Sequence, residues 1–438
     1  MRVAITTLGC KINQYDSAVI RTRLAAENYS FVPFDEKADC YIINTCTVTD
    51  RADWEARQLI RRAKRLNPES RVLVTGCYAQ VSGHKVAQVP GVDFVVGLNR
   101  LDDLVGFVKG GDGSPGKNVV VGDVQKERRV DVLGTGFFPG HTRAFLKIQE
   151  GCNYPCSYCI IPTARGRSRS VPFEEVLRQV RSLAKQGFVE IVITGIHLGG
   201  YGRDLRPKAD LTTLVETIAT GRMIPRLRLS SLDPREVPDR LLQLIAASDI
   251  VCPHLHVCLQ AGNDKILRGM RRNYDTSYYY ELMTRARRLL PHAALGSDII
   301  VGFPGESEED FVRSLNFLKS LPLTYFHVFP YSIRTGTGAA SLNQQVSLEI
   351  KKERAKNVRE LGALKKKEFY RRFIGHNVSV LLESAVDKVS GAYKGYTRNY
   401  LPVLVPADHS HINHEVEVTI RGVEGAWLRG QIVGGVEN

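Results

Sequence analysis

The sequence lacks any long apolar segment. No stretch among its 438 residues approaches the roughly 20 consecutive apolar residues that a membrane-spanning helix needs. It also lacks the basic start, apolar core and small-residue cleavage site of a signal peptide, because the short apolar run at 1–9 leads directly into Cys10. The nine cysteines are an odd number, which does not suit a framework of paired disulfides. We therefore expect a soluble cytoplasmic protein without a membrane partner, whose cysteines are reduced or bind metal.

Length and charge indicate a multidomain protein with a polyanionic partner. A chain of 438 residues exceeds one ordinary core, so two or three domains are expected. The formal net charge is +14, and half of that surplus lies between Lys351 and Arg372, where ten Lys and Arg residues oppose three Glu residues. This segment is a candidate RNA-facing surface, although a solvated helix face has the same composition.

Three N-terminal segments share one pattern, in which an apolar β-branched run leads to a cysteine and then to an amphipathic helix. They are Val3 to Cys10, Tyr41 to Cys46 and Val72 to Cys77. Strands separated by helices run parallel in an open α/β sheet, and ligands bind beyond their carboxyl ends. The pattern therefore predicts an open parallel α/β domain whose three cysteines converge at one rim.

The rest of the chain predicts two further domains. Six strand-like runs alternate with helical patterns and predict an open (βα)6 barrel with its active site at the carboxyl-end rim: Ala144–Gln149, Glu190–Thr194, Arg226–Ser230, His254–Gln260, Leu295–Val301 and Tyr325–Tyr331. Four short strands then predict a small β-barrel or sandwich: Asn377–Glu383, Tyr400–Val405, Glu415–Arg421 and Ala426–Ile432. A loop at Gly110–Gly116 marks the first boundary. We place the domains at 1–125, 138–366 and 367–438.

The strongest chemical signal is a compact cysteine loop. Cys152, Cys156 and Cys159 have C-x3-C-x2-C spacing directly after a predicted strand. Three thiolates at this spacing can hold three irons of a [4Fe–4S] cluster and leave the fourth iron open to a ligand. A zinc loop is the alternative, and it would suit a non-catalytic, zinc-stabilised RNA-binding protein. Zinc usually takes cysteines in separate pairs, and the chain has no C-x2-C partner for this loop.

The loop resembles that of the radical S-adenosylmethionine (SAM) enzymes, and the chain as a whole resembles their methylthiotransferase family. Segments 6–17, 44–49 and 75–77 look like the family's three N-terminal cysteine motifs, and the C-terminal domain is similar to the RNA-binding TRAM module. The resemblance implies two [4Fe–4S] clusters, one on Cys152, Cys156 and Cys159 and one on Cys10, Cys46 and Cys77. The first would reductively cleave SAM to a radical, and the second would take part in sulfur donation. An electron-donor protein and a sulfur donor are implied as partners.

The same resemblance assigns SAM contacts. Tyr158 occupies the position that meets adenine, and the other expected contacts follow predicted barrel strands: Thr194, Gly195, His197, Ser231 and Gln260. Without the family, the segment around Gly195 would be a tight turn. Cys258 stands where relatives usually have Ser. From burial tendency we expect Cys40, Cys252 and Cys258 to be structural thiols, and His254 and His256 to pack or hydrogen-bond.

Candidate RNA contacts come from cations placed near the reaction centre or among aromatics. Arg165 and Arg167 follow the cysteine loop and could meet phosphates, although a salt-bridged loop explains them nearly as well. Tyr393, Lys394 and Arg398 lie in a segment that interleaves aromatics with cations, which suits stacking on bases but is also ordinary strand composition.

Within the family, the sequence Cys10-Lys11-Ile12-Asn13-Gln14 resembles the branch that modifies N6-threonylcarbamoyladenosine beside the tRNA anticodon. Arg334 argues against the ribosomal-protein branch, where an acidic residue is common. The implied product is the 2-methylthio derivative, formed on a base splayed from the anticodon loop. The enzyme alternative is a ribosomal-protein methylthiotransferase.

Overall fold

The computed structural model describes residues 1–47, 50–110, 118–130 and 142–434. The loop predicted at Gly110–Gly116 lies outside the described residues except for Gly110. Within these ranges, no helix combines the length and the apolar character that crossing a membrane requires.

The N-terminal domain is a six-stranded sheet in the order β2-β1-β3-β4-β5-β6, and every pairing is parallel. Its strands are β1 (Arg2–Thr7), β2 (Ser30–Phe31), β3 (Cys40–Thr45), β4 (Arg71–Gly76), β5 (Phe94–Val96) and β6 (Val119–Val120). The helices are α1 (Lys11–Ala26), α2 (Asp50–Leu66), α3 (Cys77–Ala87) and α4 (Leu101–Lys109). Strand β3 is buried throughout, as its continuous apolar run requires in a sheet that is covered on both faces. The predicted open parallel sheet is confirmed.

The central domain is an open barrel of six parallel strands, as predicted. They are β7 (Arg143–Glu150), β9 (Glu190–Gly195), β10 (Arg226–Leu229), β11 (His254–His256), β12 (Ala294–Val301) and β13 (Tyr325–Pro330), while β8 (Arg169–Ser170) pairs antiparallel with the end of β7. Parallel bridges at Leu227–Val251 and Leu232–Val257 connect the two halves of the barrel. Strand β11 ends four residues earlier than predicted; beyond His256 the pairing continues as isolated parallel bridges at Val257 and Gln260, and Gln260 adopts a left-handed φ of 72°.

Helices surround the barrel and pack their apolar faces on its strands. They are α5 (Ile161–Arg165), α6 (Phe173–Lys185), α7 (Leu211–Thr220), α8 (Asp239–Ala247), α9 (Asp264–Gly269), α10 (Thr276–Leu289) and α11 (Glu308–Ser320). The predicted helices at 173–186 and 308–321 therefore each end one residue early. Ser307 and Asp310 form a reciprocal capping box that fixes the start of α11.

The C-terminal domain follows the long helix α12 (Leu348–Arg371) and is a closed five-stranded barrel in the order β14-β15-β16-β18-β17. Its strands are β14 (Asn377–Val386), β15 (Tyr393–Thr397), β16 (Pro402–Val405), β17 (Glu415–Glu424) and β18 (Trp427–Ile432). Four strands were predicted. The additional strand is β15, which coincides with the segment of alternating aromatics and cations.

The C-terminal barrel lies against the amino ends of the central strands. Arg143 at the start of β7 pairs with Glu383 at 2.8 Å, and Arg226 at the start of β10 pairs with Glu415 at 2.9 Å. The ring of Tyr400 lies beneath the guanidinium groups of Arg143 and Arg228, at 5.7 and 4.7 Å from its centroid. The end of the central barrel opposite its active-site rim is thus covered by the third domain.

Candidate active site

The three N-terminal cysteines meet at one rim. Strands β1, β3 and β4 are neighbours, and Cys10 caps the start of α1, Cys46 directly follows β3, and Cys77 opens α3. The loops approach so closely that a Cβ on Gly9 would lie 2.6 Å from Cβ of Cys46, and Gly9 itself has φ of +99°. A side chain at that position would force the two loops apart. The sheet topology thus produces the convergence on which a shared metal site depends, and ligation by these thiols remains a prediction.

Arg165 connects this rim to the central barrel. Its Nε donates to Sγ of Cys77 at 3.3 Å, and Nη2 donates to Oδ1 of Asn13 at 2.6 Å and to Oδ2 of Asp16 at 2.9 Å. Nη1 donates to Glu150 at the end of β7 at 3.0 Å, and only 1% of the side chain is exposed. The predicted contact of Arg165 with phosphate stays a prediction. Its donors are used within the protein, and the salt-bridged alternative holds.

Burial changes the pKa of Cys77, the thiol that Arg165 contacts. Removal from water raises the pKa of Cys77 to about 12, and the nearby guanidinium opposes that shift only in part. Lys147 lies in the same network, 2.8 Å from Asp16 and 2.7 Å from Glu150. Two cations and two carboxylates thus form a buried network between the first and second domains.

We expect Arg165→Ala to destabilise the contact between these domains by about 3 kcal/mol, because it leaves buried carboxylates that Lys147 alone must neutralise. The urea midpoint of unfolding, followed by circular dichroism, should fall accordingly. Arg167 is the matched control, because it is exposed two residues away. Its replacement by Ala should change stability by no more than about 0.5 kcal/mol. Equal losses in both variants would contradict the assigned role of Arg165.

The second cysteine triad lies on the loop that follows β7. Sγ of Cys152 accepts a hydrogen bond from the backbone N–H of Tyr154 at 3.4 Å, and Sγ of Cys156 accepts one from Nη1 of Arg272 at 3.1 Å. Burial raises the pKa of Cys152 to about 11 and that of Cys159 to about 12. Half-buried thiols with N–H donors aimed at sulfur suit an iron–sulfur cluster, whose irons take the thiolate form and whose sulfurs accept such bonds.

A cavity of about 200 Å³ opens beside this loop, at the carboxyl ends of the barrel strands. Two predicted SAM contacts, Tyr158 and Gln260, line it together with Cys159. Sequence reasoning did not single out other residues that line this cavity, including Asp298, Tyr331 and Ser332, and it noted Arg334 only for the branch assignment. Asp298 lies in the second half of β12, where a polar residue in an otherwise apolar strand was a usable signal.

The other predicted SAM contacts do not line that cavity. Thr194 is buried within the strand end, Gly195 packs on Gln149, and Ser231 is exposed. Nε2 of His197 lies 2.8 Å from Oε1 of Glu236, and its ring contacts the ring of Tyr154, with centroids 4.3 Å apart. His197 thus touches the cysteine loop itself. The roles of these four residues toward SAM remain predictions.

A polar cluster occupies the barrel interior below the cavity. Oδ1 of Asp298 lies 2.9 Å from Nε2 of His256 and 3.2 Å from Nδ1 of His327, and Cys258 donates to Oδ2 at 3.2 Å. Burial favours the protonated acid, but the bonds to His256 and His327 outweigh it and hold the pKa of Asp298 well below its usual range. His254 bonds to the hydroxyl of Tyr325 at 2.8 Å, so both β11 histidines are hydrogen-bonded as expected. Asp298, His256 and His327 are also near enough to share a metal ion.

The expected structural thiols differ among themselves. Cys40 and Cys252 are buried, in line with the prediction. Cys258 is only half-buried and bonds to Asp298, so it belongs to the polar interior rather than to the apolar core.

The predicted RNA contacts in the third domain fall into two groups, according to whether the side chain bonds to another domain of the protein. Arg398 gives its donors to Glu415 at 2.8 Å and to the carbonyls of Asp249 and Pro225 in the central domain. In the structure this side chain joins two domains, and the predicted phosphate contact of Arg398 stays a prediction. Lys394 lies over the ring of Trp427 at 5.3 Å, and Tyr393 is half-buried beside it. These two residues, like the exposed Arg167, remain predicted RNA contacts.

The basic segment has two faces. Lys351 and Arg354 are buried, and Arg354 pairs with Glu306 at 2.8 Å. On the outer face, cations point to solvent: Lys352, Lys356, Arg359, Lys367 and Arg371. Only this outer face of α12 is available to a polyanion.

An open parallel barrel with a C-x3-C-x2-C loop beyond its first strand defines the class of radical SAM proteins. Comparison with known sequences agrees with this classification: a model described as the Radical SAM superfamily matches residues 146–318, and one described as uncharacterized protein family UPF0004 matches residues 2–97. A solved structure, the radical SAM methyltransferase TsrM from Kitasatospora setae, aligns with a TM-score of 0.58 at 17% identity over 77% of each chain. That likeness shows the fold.

Curated relatives extend over the full length. Threonylcarbamoyladenosine tRNA methylthiotransferase MtaB of Bacillus subtilis is 38% identical over 100% of this chain and 97% of its own. The protein of the same name from Aquifex aeolicus is 41% identical over 87% and 93%. A tRNA-2-methylthio-N(6)-dimethylallyladenosine synthase of Pelotomaculum thermopropionicum is 34% identical over 97% and 96%. The chain belongs to the radical SAM methylthiotransferase family, whose superfamily membership implies SAM and a [4Fe–4S] cluster.

Proposed function

We propose that this protein converts N6-threonylcarbamoyladenosine next to the tRNA anticodon to its 2-methylthio derivative. Full-length similarity to relatives named for that reaction supports the substrate. The observation that carries the chemistry is the contact between the two cysteine sites. Arg165, in the helix that begins two residues after Cys159, bonds directly to Cys77. A base held at this junction would face both sites at once.

We assign one [4Fe–4S] cluster to Cys152, Cys156 and Cys159 and a second to Cys10, Cys46 and Cys77. When bound, the first cluster supplies the electron that cleaves SAM, and the second supports sulfur delivery to C2 of adenine. The protein's own residues position these groups and exclude water. Arg272 donates to Cys156, the network around Arg165 fixes the distance between the domains, and Tyr158 and Gln260 line the adjoining cavity.

The proposed partners follow from the reaction. An electron-donor protein must reduce the first cluster, a sulfur donor must replenish the second, and tRNA places the enzyme in the cytoplasm. The outer face of α12 is the proposed surface for the tRNA backbone, because its cations are exposed and phosphate contacts dominate nucleic-acid affinity. Lys394 and Tyr393 are proposed to add contacts to the tRNA.

The second candidate is 2-methylthiolation of N6-dimethylallyladenosine, which the Pelotomaculum thermopropionicum relative is named for. Methylthiolation of a ribosomal protein and zinc-stabilised RNA binding receive no support from the relatives described above. The two tRNA reactions differ only in the N6 substituent of the base.

Mass spectrometry of tRNA nucleosides tests the proposal. A strain that lacks the gene should accumulate N6-threonylcarbamoyladenosine and lose its 2-methylthio form, and the gene on a plasmid should restore it. Loss of the methylthiolated dimethylallyladenosine instead would assign the second candidate. An unchanged nucleoside profile would refute both.

A further inference from the structure

A lysine of the N-terminal domain lies among charged residues of the central barrel. Helix α1 packs against β7 and β9, and its first residue, Lys11, is half-buried. Its ammonium group lies among Tyr400, Arg143, Arg228 and Glu190. Across the described ranges, Lys11 makes no side-chain hydrogen bond and no ion pair, which is costly for a charge drawn out of water.

The neighbouring charges are already committed. Glu190 accepts from both Arg226, at 2.8 Å, and Arg228, at 2.7 Å. Arg143 pairs with Glu383 on the third domain at 2.8 Å. No carboxylate in this group is therefore left for Lys11, and its surroundings are cationic on balance. The phenol of Tyr400 faces the same three cations, Lys11, Arg143 and Arg228. A negative charge from outside the chain would balance this group of cations.

The position of Lys11 indicates the source of that negative charge. Lys11 directly follows Cys10, a proposed ligand of the cluster that delivers sulfur. In the proposed substrate, the exocyclic N6 carries a urea linkage that ends in a carboxylate. The carbon that bears N6 and the reacting C2 both flank N1, so the substituent lies on the same edge of the base as the reaction. A base with C2 at the Cys10 rim would extend its carboxylate toward Lys11.

We infer that Lys11 is the specificity-determining residue that binds the carboxylate of the threonylcarbamoyl group. This inference rests on the proposed function and adds to it the means of selecting the substrate. An apolar N6 substituent would approach Lys11 without pairing its charge. Discrimination then comes from an unpaired charge as well as from a favourable contact.

The test uses two anticodon stem-loops, one with N6-threonylcarbamoyladenosine and one with its carboxamide, which has the same shape without the charge. Holoenzyme with the natural residue should prefer the acid by about tenfold to a hundredfold in kcat/KM and in Kd, the range expected for one charged hydrogen bond. Lys11→Gln should bring both ratios close to one, and Lys11→Arg should retain most of the preference. Lys37→Gln, at an exposed lysine of the same domain, is the matched control and should keep the original ratios.

The outcomes distinguish failure of the inference about Lys11 from failure of the proposed function. If Lys11→Gln keeps the preference for the acid, the inference is overturned. If the unmodified enzyme cleaves SAM but methylthiolates neither stem-loop, the proposed function fails instead. Should Lys11→Gln lose iron beside Cys10, the Kd ratio from fluorescence anisotropy decides the question, because it requires no turnover.

Discussion

Replacing Cys152, Cys156 and Cys159 together with alanine is expected to abolish both 5′-deoxyadenosine formation and the methylthio product. The three thiols lie on one loop beside the cavity that Tyr158 and Gln260 line. Without them no cluster can pass an electron to SAM. Anaerobically reconstituted protein should fall from about eight irons per chain to about four, since one of two [4Fe–4S] clusters is lost.

The control for this variant is Cys252→Ala, which removes a buried thiol outside both triads. It should keep the full iron content and SAM cleavage. Iron, acid-labile sulfide and zinc are measured on the same preparations. Stoichiometric zinc without sulfide in the unmodified protein would show that the radical mechanism is wrong.

The second large effect is a separation of the two half-reactions. A variant with Cys10, Cys46 and Cys77 replaced by alanine should still form 5′-deoxyadenosine under reducing conditions but give no methylthiolated nucleoside. These cysteines lie in a different domain from the SAM-cleaving loop, and one of them, Cys77, accepts a hydrogen bond from Arg165 of the central domain. Liquid chromatography with mass spectrometry quantifies both products in one reaction.

Two measurements keep that result interpretable. Circular dichroism and the iron content of the barrel site must match the unmodified protein, because loss of a metal site can unfold a domain. Methylthio product at the original rate in this variant would show that the N-terminal site does not deliver the sulfur.

Much of the fold was predictable because its signals are local. Apolar β-branched runs that alternate with helices specify parallel strands, and adjacent strand ends bring Cys10, Cys46 and Cys77 together. The strand β15 was missed because Gly395 and Lys394 interrupt its apolar pattern, and only closure of the barrel makes it a strand. Strand β11 was predicted too long because the apolar run continues past His256, whereas the pairing beyond that residue consists of isolated bridges.

The site was less predictable where charges pair across the chain. Arg165 resembles a phosphate ligand in sequence, yet its partner Asp16 lies 149 residues away. Arg398 resembles one too, until its bond to the carbonyl of Asp249, also 149 residues away, is known. Composition reports that a cation is present, but only the tertiary structure reports whether its charge is already neutralised. Lys11 is identified by the same comparison, because within the described residues its charge is not neutralised by an ion pair.

The contact of Tyr400 with Arg143 and Arg228 changes how the third domain is to be regarded in protein engineering. A C-terminal RNA-binding module is usually treated as a detachable unit that can be exchanged between relatives. Here that domain supplies the side chain of Tyr400 to the group of charges around Lys11, where the carboxylate of the substrate is proposed to bind. A chimera that receives the last domain of another family member therefore inherits part of that member's carboxylate site, and a change in its product profile would not by itself report on tRNA selection.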